Sequence, residues 1–135
     1  MNVPNKVRHF AWKACRNILA TKENLRRRNI TKDSTCEVCG EQVETISHLF
    51  WFCEHAKEVW SSCKLSFPFD FQPSWDFMDV IWLLQKWEES RPGILERAIM
   101  ICRGIWKNRN EVSHGGKRRS GLAVTRSSLS LLEEF

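Results

Sequence analysis

Cys36, Cys39, His48 and Cys53 follow the spacing C-x2-C-x8-H-x4-C. Two thiolates two residues apart, with Gly40 directly behind them, make a tight knuckle that can aim both sulfurs at one tetrahedral ion. His48 and Cys53 then complete a Cys3His shell. Such a shell leaves no open position for water or substrate, so the cofactor expected here is one structural Zn2+ that holds the fold and performs no chemistry. His55 competes with Cys53 for the last position, because both could return to the same face of a helix begun near His48. Thiolate is the stronger zinc ligand in structural shells, which favours Cys53.

No second constellation assembles a catalytic site. A polymerase palm needs paired aspartates on two metal ions, and the chain has neither an Asp-Asp pair nor a tyrosine. Asp70, Asp76 and Asp79 lack a sheet that would gather them for ribonuclease H chemistry. Cys15 with His9, or Cys102 with His114, would need a thiol beside a base, yet both cysteines fall on apolar helix faces and read as core. No catalytic residue is expected.

Charge is unevenly placed along the chain, whose net charge is +5. Lys6, Arg8, Lys13, Arg16, Lys22, Arg26, Arg27, Arg28 and Lys32 face only Glu23 and Asp33 in the first 35 residues; an acidic middle follows, and Lys117-Arg118-Arg119 is basic again. This pattern suits nucleic-acid phosphate. The residues expected to contact RNA or DNA are Arg26, Arg27 and Arg28, supported by Lys13, Arg16 and Lys22, with weak sequence preference. Trp12, beside Lys13 and Arg16, is the one tryptophan suited to stacking on a base.

The elements that would position these groups are helical. Val7, Phe10, Ala11, Ala14, Cys15, Ile18 and Leu19 trace an amphipathic stripe beginning after Pro4, with Trp12 off it. Thr21 caps a short second helix through Arg28, and Leu25 would anchor it inward. A helical stretch after Thr45 or Ser47 carries His48, Leu49, Phe52 and Cys53; another from about His55 carries Ala56, Val59, Trp60 and Cys63. Phe67-Pro-Phe-Asp-Phe-Gln-Pro73 interrupts the pattern. Ser74 would cap an apolar helix over 75–87, and Pro92-Gly93 separates it from one over 94–110. The reading is a mainly α fold: a small helical domain organised around one Cys3His zinc knuckle, with a helical connector. Its divisions are 1–65 for the zinc domain, 66–73 for a linker, 74–112 for the connector and 113–135 for a basic, poorly ordered tail.

Phe10-Ala-Trp-Lys13, Leu25-Arg-Arg-Arg-Asn-Ile30, Cys36-x2-Cys39-Gly40, Glu44-Thr45-x2-His48-Leu-Phe50-x2-Cys53 and Ala56-Lys-Glu-Val-Trp60 together resemble the zinc-binding domain that follows the reverse transcriptase in plant non-LTR (LINE-type) retrotransposon polyproteins. The likeness runs from about Val3 to Trp60. Ile105-Trp-Lys-Asn-Arg-Asn110 resembles the connector leading into a ribonuclease H domain in such polyproteins. The resemblance implies Cys36, Cys39, His48 and Cys53 as ligands, and a neighbouring polymerase or ribonuclease H domain as partner in the parent polyprotein. With Met1 close to the start of the likeness and Phe135 ahead of any ribonuclease H domain, the chain reads as a truncated polyprotein fragment.

Seven Trp and eight Phe allow a core in one compact domain. The polar N-terminus lacks the apolar run of a signal peptide, and no stretch is long enough to span a membrane. The six cysteines therefore read as reduced thiols in an intracellular protein, nuclear or cytoplasmic and not secreted. The function expected is a retroelement-derived zinc-binding module that binds RNA or DNA. The alternative is a non-catalytic protein-interaction or structural fragment, which an exposed Trp and Leu patch on the helices over 75–110 would favour.

Overall fold

The computed structural model describes residues 1–135 and is helical: α1 (Asn5–Cys15), α2 (Lys22–Arg27), a π turn (His48–Phe52), α3 (Glu54–Ser62), α4 (Phe77–Trp87), α5 (Ile94–Ser113) and α6 (Gly121–Glu134). No strand forms, and extended pairing is confined to one antiparallel bridge between Thr35 and Val43. The expected mainly α fold around a Cys3His group is borne out.

α1 buries Val7, Phe10, Ala11 and Ala14 of the predicted stripe and leaves Trp12 52% exposed, but it stops at Cys15, so Ile18 lies beyond the helix and is 48% exposed. It ends where Asn17 takes a positive φ of 54°, a conformation Asn tolerates better than most residues. Thr21 accepts the Asn24 backbone N–H at 3.2 Å and so caps α2 as expected. The residue that turns inward from α2 is Asn24 rather than Leu25: its amide donates to the carbonyls of Asn17 and Leu19 at 3.0 and 2.8 Å, which ties α2 to the end of α1.

α5 is the central element, packed against α1, α3, α4 and α6. Ile99, Ile101 and Ile105 are almost wholly buried, each stabilising the fold by about 1.5–3 kcal/mol. Phe10, Phe50 and Phe77 meet edge to face at 5.6–6.3 Å, joining α1, the π turn and α4. The Phe-rich segment expected as a linker contributes to this core. Phe71 stacks on Trp51 at 4.4 Å, and Phe67 meets Trp60 edge-on at 5.2 Å. α4 starts later than its predicted cap: Asp76, not Ser74, is the cap, in a reciprocal capping box with Asp79. The box satisfies more of the free N-terminal amides than a lone serine could.

The segment expected to be a poorly ordered tail contains α6, packed on α3 and α5. Its inward residues are Gly121, Val124, Thr125 and Ser128, spaced i, i+3, i+4, i+7. Their small size lets the backbones close up: a Cβ on Gly104 of α5 would collide with Ser128 Oγ. Polar contacts fix the register. Glu58 accepts the Gly121 N–H at 3.1 Å, and Thr125 Oγ1 donates to the Val59 carbonyl at 3.2 Å.

Candidate metal centre

The knuckle is built by backbone pairing. Within the loop closed by the Thr35–Val43 bridge, Cys36 N–H donates to the Gln42 carbonyl at 2.7 Å and Gly40 N–H to the Cys36 carbonyl at 2.8 Å. Gly40 sits at φ 72°, where a side chain is strained although the space around it is open. Asp33 adds a side-chain acceptor for the Thr35 N–H at 2.9 Å.

The second pair of ligands depends on the π turn. Five residues in a regular α-helix rotate a side chain by about 140° away from its start, so His48 and Cys53 would diverge. The wider turn, closed by Cys53 N–H donating to the His48 carbonyl at 2.7 Å, brings them back to one side. Cys53 then leaves the helix in an extended conformation, φ −61° and ψ 143°. Thr45 Oγ1 accepts the His48 N–H at 3.0 Å and fixes the entry.

The result is convergence. One donor atom from each of Cys36, Cys39, His48 and Cys53 lies within 4.8 Å of all the others, with Cys39 Sγ 3.5 Å from His48 Nε2. Tetrahedral zinc at ~2.3 Å from sulfur sets sulfurs ~3.8 Å apart, so closing on an ion needs only a small contraction. Cys36 and Cys53 are buried, whereas Cys39 and His48 border a groove of about 540 Å3 that gives solvent access on one side. The thiols also compete for protons. Cys36 is pushed up to about 12 by its hydrogen bond to Cys53 and by burial, while the same bond holds Cys53 down. His48 is raised by its hydrogen bond to Cys36. A dication is the natural substitute for those protons: three thiolates and a neutral imidazole suit Zn2+, and all four positions would be filled by protein.

His55 does not join this group. Its Nε2 lies 2.8 Å from the Arg119 carbonyl, an N–H donation that ties α3 to the segment before α6, and burial holds its basicity down.

The buried partner of the knuckle was missed by sequence reasoning. Glu44, 1% exposed, receives Arg109 of α5 through Nη2 at 2.6 Å and Nε at 3.1–3.2 Å, and the Lys22 N–H at 2.8 Å. Arg109 is 9% exposed and also lies 4.9 Å above the Trp106 ring. Fork geometry with further hydrogen bonds is what a buried ion pair needs to offset desolvation. The pair joins the chain just after the knuckle to the central helix. A carboxylate beside Thr45 and an arginine at the end of an apolar stripe were its only signals.

The expected nucleic-acid residues divide. Lys22 is engaged by Glu37 at 2.9 Å and Asp33 at 3.9 Å, and the bond to Glu37 raises its pKa. Arg26 is engaged by Glu23 at 2.6 Å. Arg27 and Arg28 are exposed with no carboxylate partner; Lys13 is half-buried and likewise unpaired. Arg16 lies 5.2 Å over the Trp12 ring, which also stacks with His9.

Residues 1–60 match the family described as zinc-binding in reverse transcriptase. No curated protein and no solved structure matches the chain. The matched segment contains the whole Cys3His group, which is suited to one zinc ion. What the description names is zinc binding, in the setting of reverse transcriptase. Arg109 and all of α4, α5 and α6 lie outside the matched residues. No helix of the chain is long and apolar enough to cross a membrane.

Proposed function

We infer that this chain is a non-catalytic zinc module from a retroelement polyprotein of the plant non-LTR type, in which Cys36, Cys39, His48 and Cys53 hold one structural Zn2+. Its activity is weakly sequence-specific binding of RNA or DNA. The observation that carries the binding is that Lys13 and Arg16 at the end of α1 and Arg27 and Arg28 at the end of α2 form no salt bridge, while Trp12, with Arg16 5.2 Å over its ring, is 52% exposed. Unpaired cations are available to displace counterions from phosphate, and an exposed indole can stack on an unpaired base. In a polyprotein, a neighbouring polymerase or ribonuclease H domain is the natural partner for the remaining surface.

Titrating labelled single-stranded RNA and duplex DNA at low and moderate salt tests this. Binding should fall steeply with salt, and the double change Arg27→Ala, Arg28→Ala should lower the slope by about 1–2 units. Absence of binding at low salt, or binding indifferent to the double change, rejects the reading. One feature supports a protein-interaction role instead. Met78 and Trp82, 55% exposed, face outward one turn apart on α4, with the Lys86 ammonium 4.0 Å over the Trp82 ring.

A further inference from the structure

A second group of cations, separate in sequence from the arginine triplet, gathers where α1, α5 and α6 meet. Where α5 and α6 close up at Gly104, they leave a cleft of about 90 Å3 against the start of α1. Lys6 of α1, Arg103 and Lys107 of α5, and Arg119 ahead of α6 all line it. Glu111 is its single carboxylate and is already held by Arg119 at 3.2 Å. Lys6, Arg103 and Lys107 make no ion pair, whereas Lys22, Arg26 and Arg118 elsewhere each have a carboxylate partner. Val7, Met100 and Val124 form apolar walls. Like charges converging on a concave, low-dielectric surface repel one another and focus a positive potential, and a bound anion relieves both.

The cleft also continues into the nucleic-acid face proposed above. At ~100° per residue, Lys6, His9, Lys13 and Arg16 fall within an arc of about 80° on the outward side of α1. From Lys6 to Arg16 that strip is ~15 Å long. A strand lying on it would run from the α1–α2 junction to the cleft.

We propose that the cleft between α1, α5 and α6 is a phosphate site, filled by one backbone phosphate of a nucleic acid that continues along the outer strip of α1. This rests on the nucleic-acid reading and adds a contact that is discontinuous in sequence and lies partly beyond residues 1–60. Lys6, Arg103 and Lys107 hold the phosphate oxygens, and Arg119, neutralised by Glu111, closes one side.

Salt titration of a fluorescent single-stranded RNA tests the site with the full zinc-loaded chain. Lys6→Gln with Lys107→Gln, both at exposed positions, should weaken binding about tenfold at low salt and lower the slope by about 1–2 units. An unchanged slope, with zinc content and melting as in the parent, overturns the site. Should the double variant lose its fold, Lys6→Gln alone should still lower the slope by about 0.7–0.9, and no change overturns the proposal. If the parent chain binds no nucleic acid, the broader reading fails and inorganic phosphate decides the cleft separately. Saturable 1H-15N shifts around Gly104 and Lys107 that disappear in the variant support it, and their absence overturns it.

Discussion

The knuckle and the α5–α6 layer are stabilised by opposite means. Between Ile30 and Thr45 the only buried side chains are Cys36 and Glu44, a ligand candidate and a charge. α5 buries Ile94, Leu95, Ala98, Ile99, Met100, Ile101, Cys102 and Ile105, and α6 covers part of that surface with small residues. One region has almost no apolar area to remove from water; the other has a continuous core. A metal would do for the first what hydrophobic burial does for the second, and the Glu44–Arg109 pair ties that region to α5.

The strongest way to break this contrast is to remove the ion. Chelation, or Cys36→Ser, should abolish amide-exchange protection across residues 34–45 while α5 and α6 keep theirs; structural zinc contributes on the order of 10 kcal/mol in small zinc domains. Loss of protection everywhere at once would show that the two regions are a single cooperative unit, and no loss would end the structural role of the metal. Next in size is Arg109→Met, which leaves Glu44 buried and unmatched and should destabilise the zinc-loaded protein by about 3–5 kcal/mol in denaturant titration. Adding Glu44→Leu should restore much of that loss, since the cost lies in the orphaned charge. Ile101→Ala addresses the other region: about 2–5 kcal/mol should be lost, with zinc affinity unchanged. A weaker zinc affinity in that variant would mean that the core shapes the site.

The smallest effect concerns the dock of α6. The Gly121 N–H, and then Arg118, hold the Glu58 carboxyl below its usual range. A depressed carboxylate pKa stabilises the fold above the unfolded value near ~4.3 and loses that contribution as pH falls through the folded value. Glu58→Gln at pH 7 imitates the protonated state. With the side chain 44% exposed, solvent screening limits the loss to a few tenths of a kcal/mol, visible as faster amide exchange at the start of α6 and nowhere else. Unaltered exchange there would leave the small-residue packing and the Thr125–Val59 bond as the anchors of α6.

The metal group and α1 were legible because their signals are local. C-x2-C-Gly fixes a turn, and the spacing of Val7, Phe10, Ala11 and Ala14 marks one helical face. The π turn was not legible, since a regular helix would have placed His48 and Cys53 apart. α6 escaped because Gly121, Thr125 and Ser128 keep helical spacing without bulk, and an apolar count passes over them. The cations were misjudged where their partners are remote or unexpected. Lys22 meets Glu37 across the loop, and Glu44 meets Arg109 from 65 residues away. Nothing in a local window records such a meeting.

The family likeness stops at Trp60, but the guanidinium that neutralises Glu44 comes from residue 109. A segment excised at the edge of the likeness would carry a sequestered carboxylate with no counter-charge. It would have to take up a proton, admit water or borrow an arginine from whatever it is joined to. The smallest transplantable piece of this protein therefore extends through α5, and a donor helix grafted in its place would need a basic side chain at the position of Arg109 before it needed any particular apolar face.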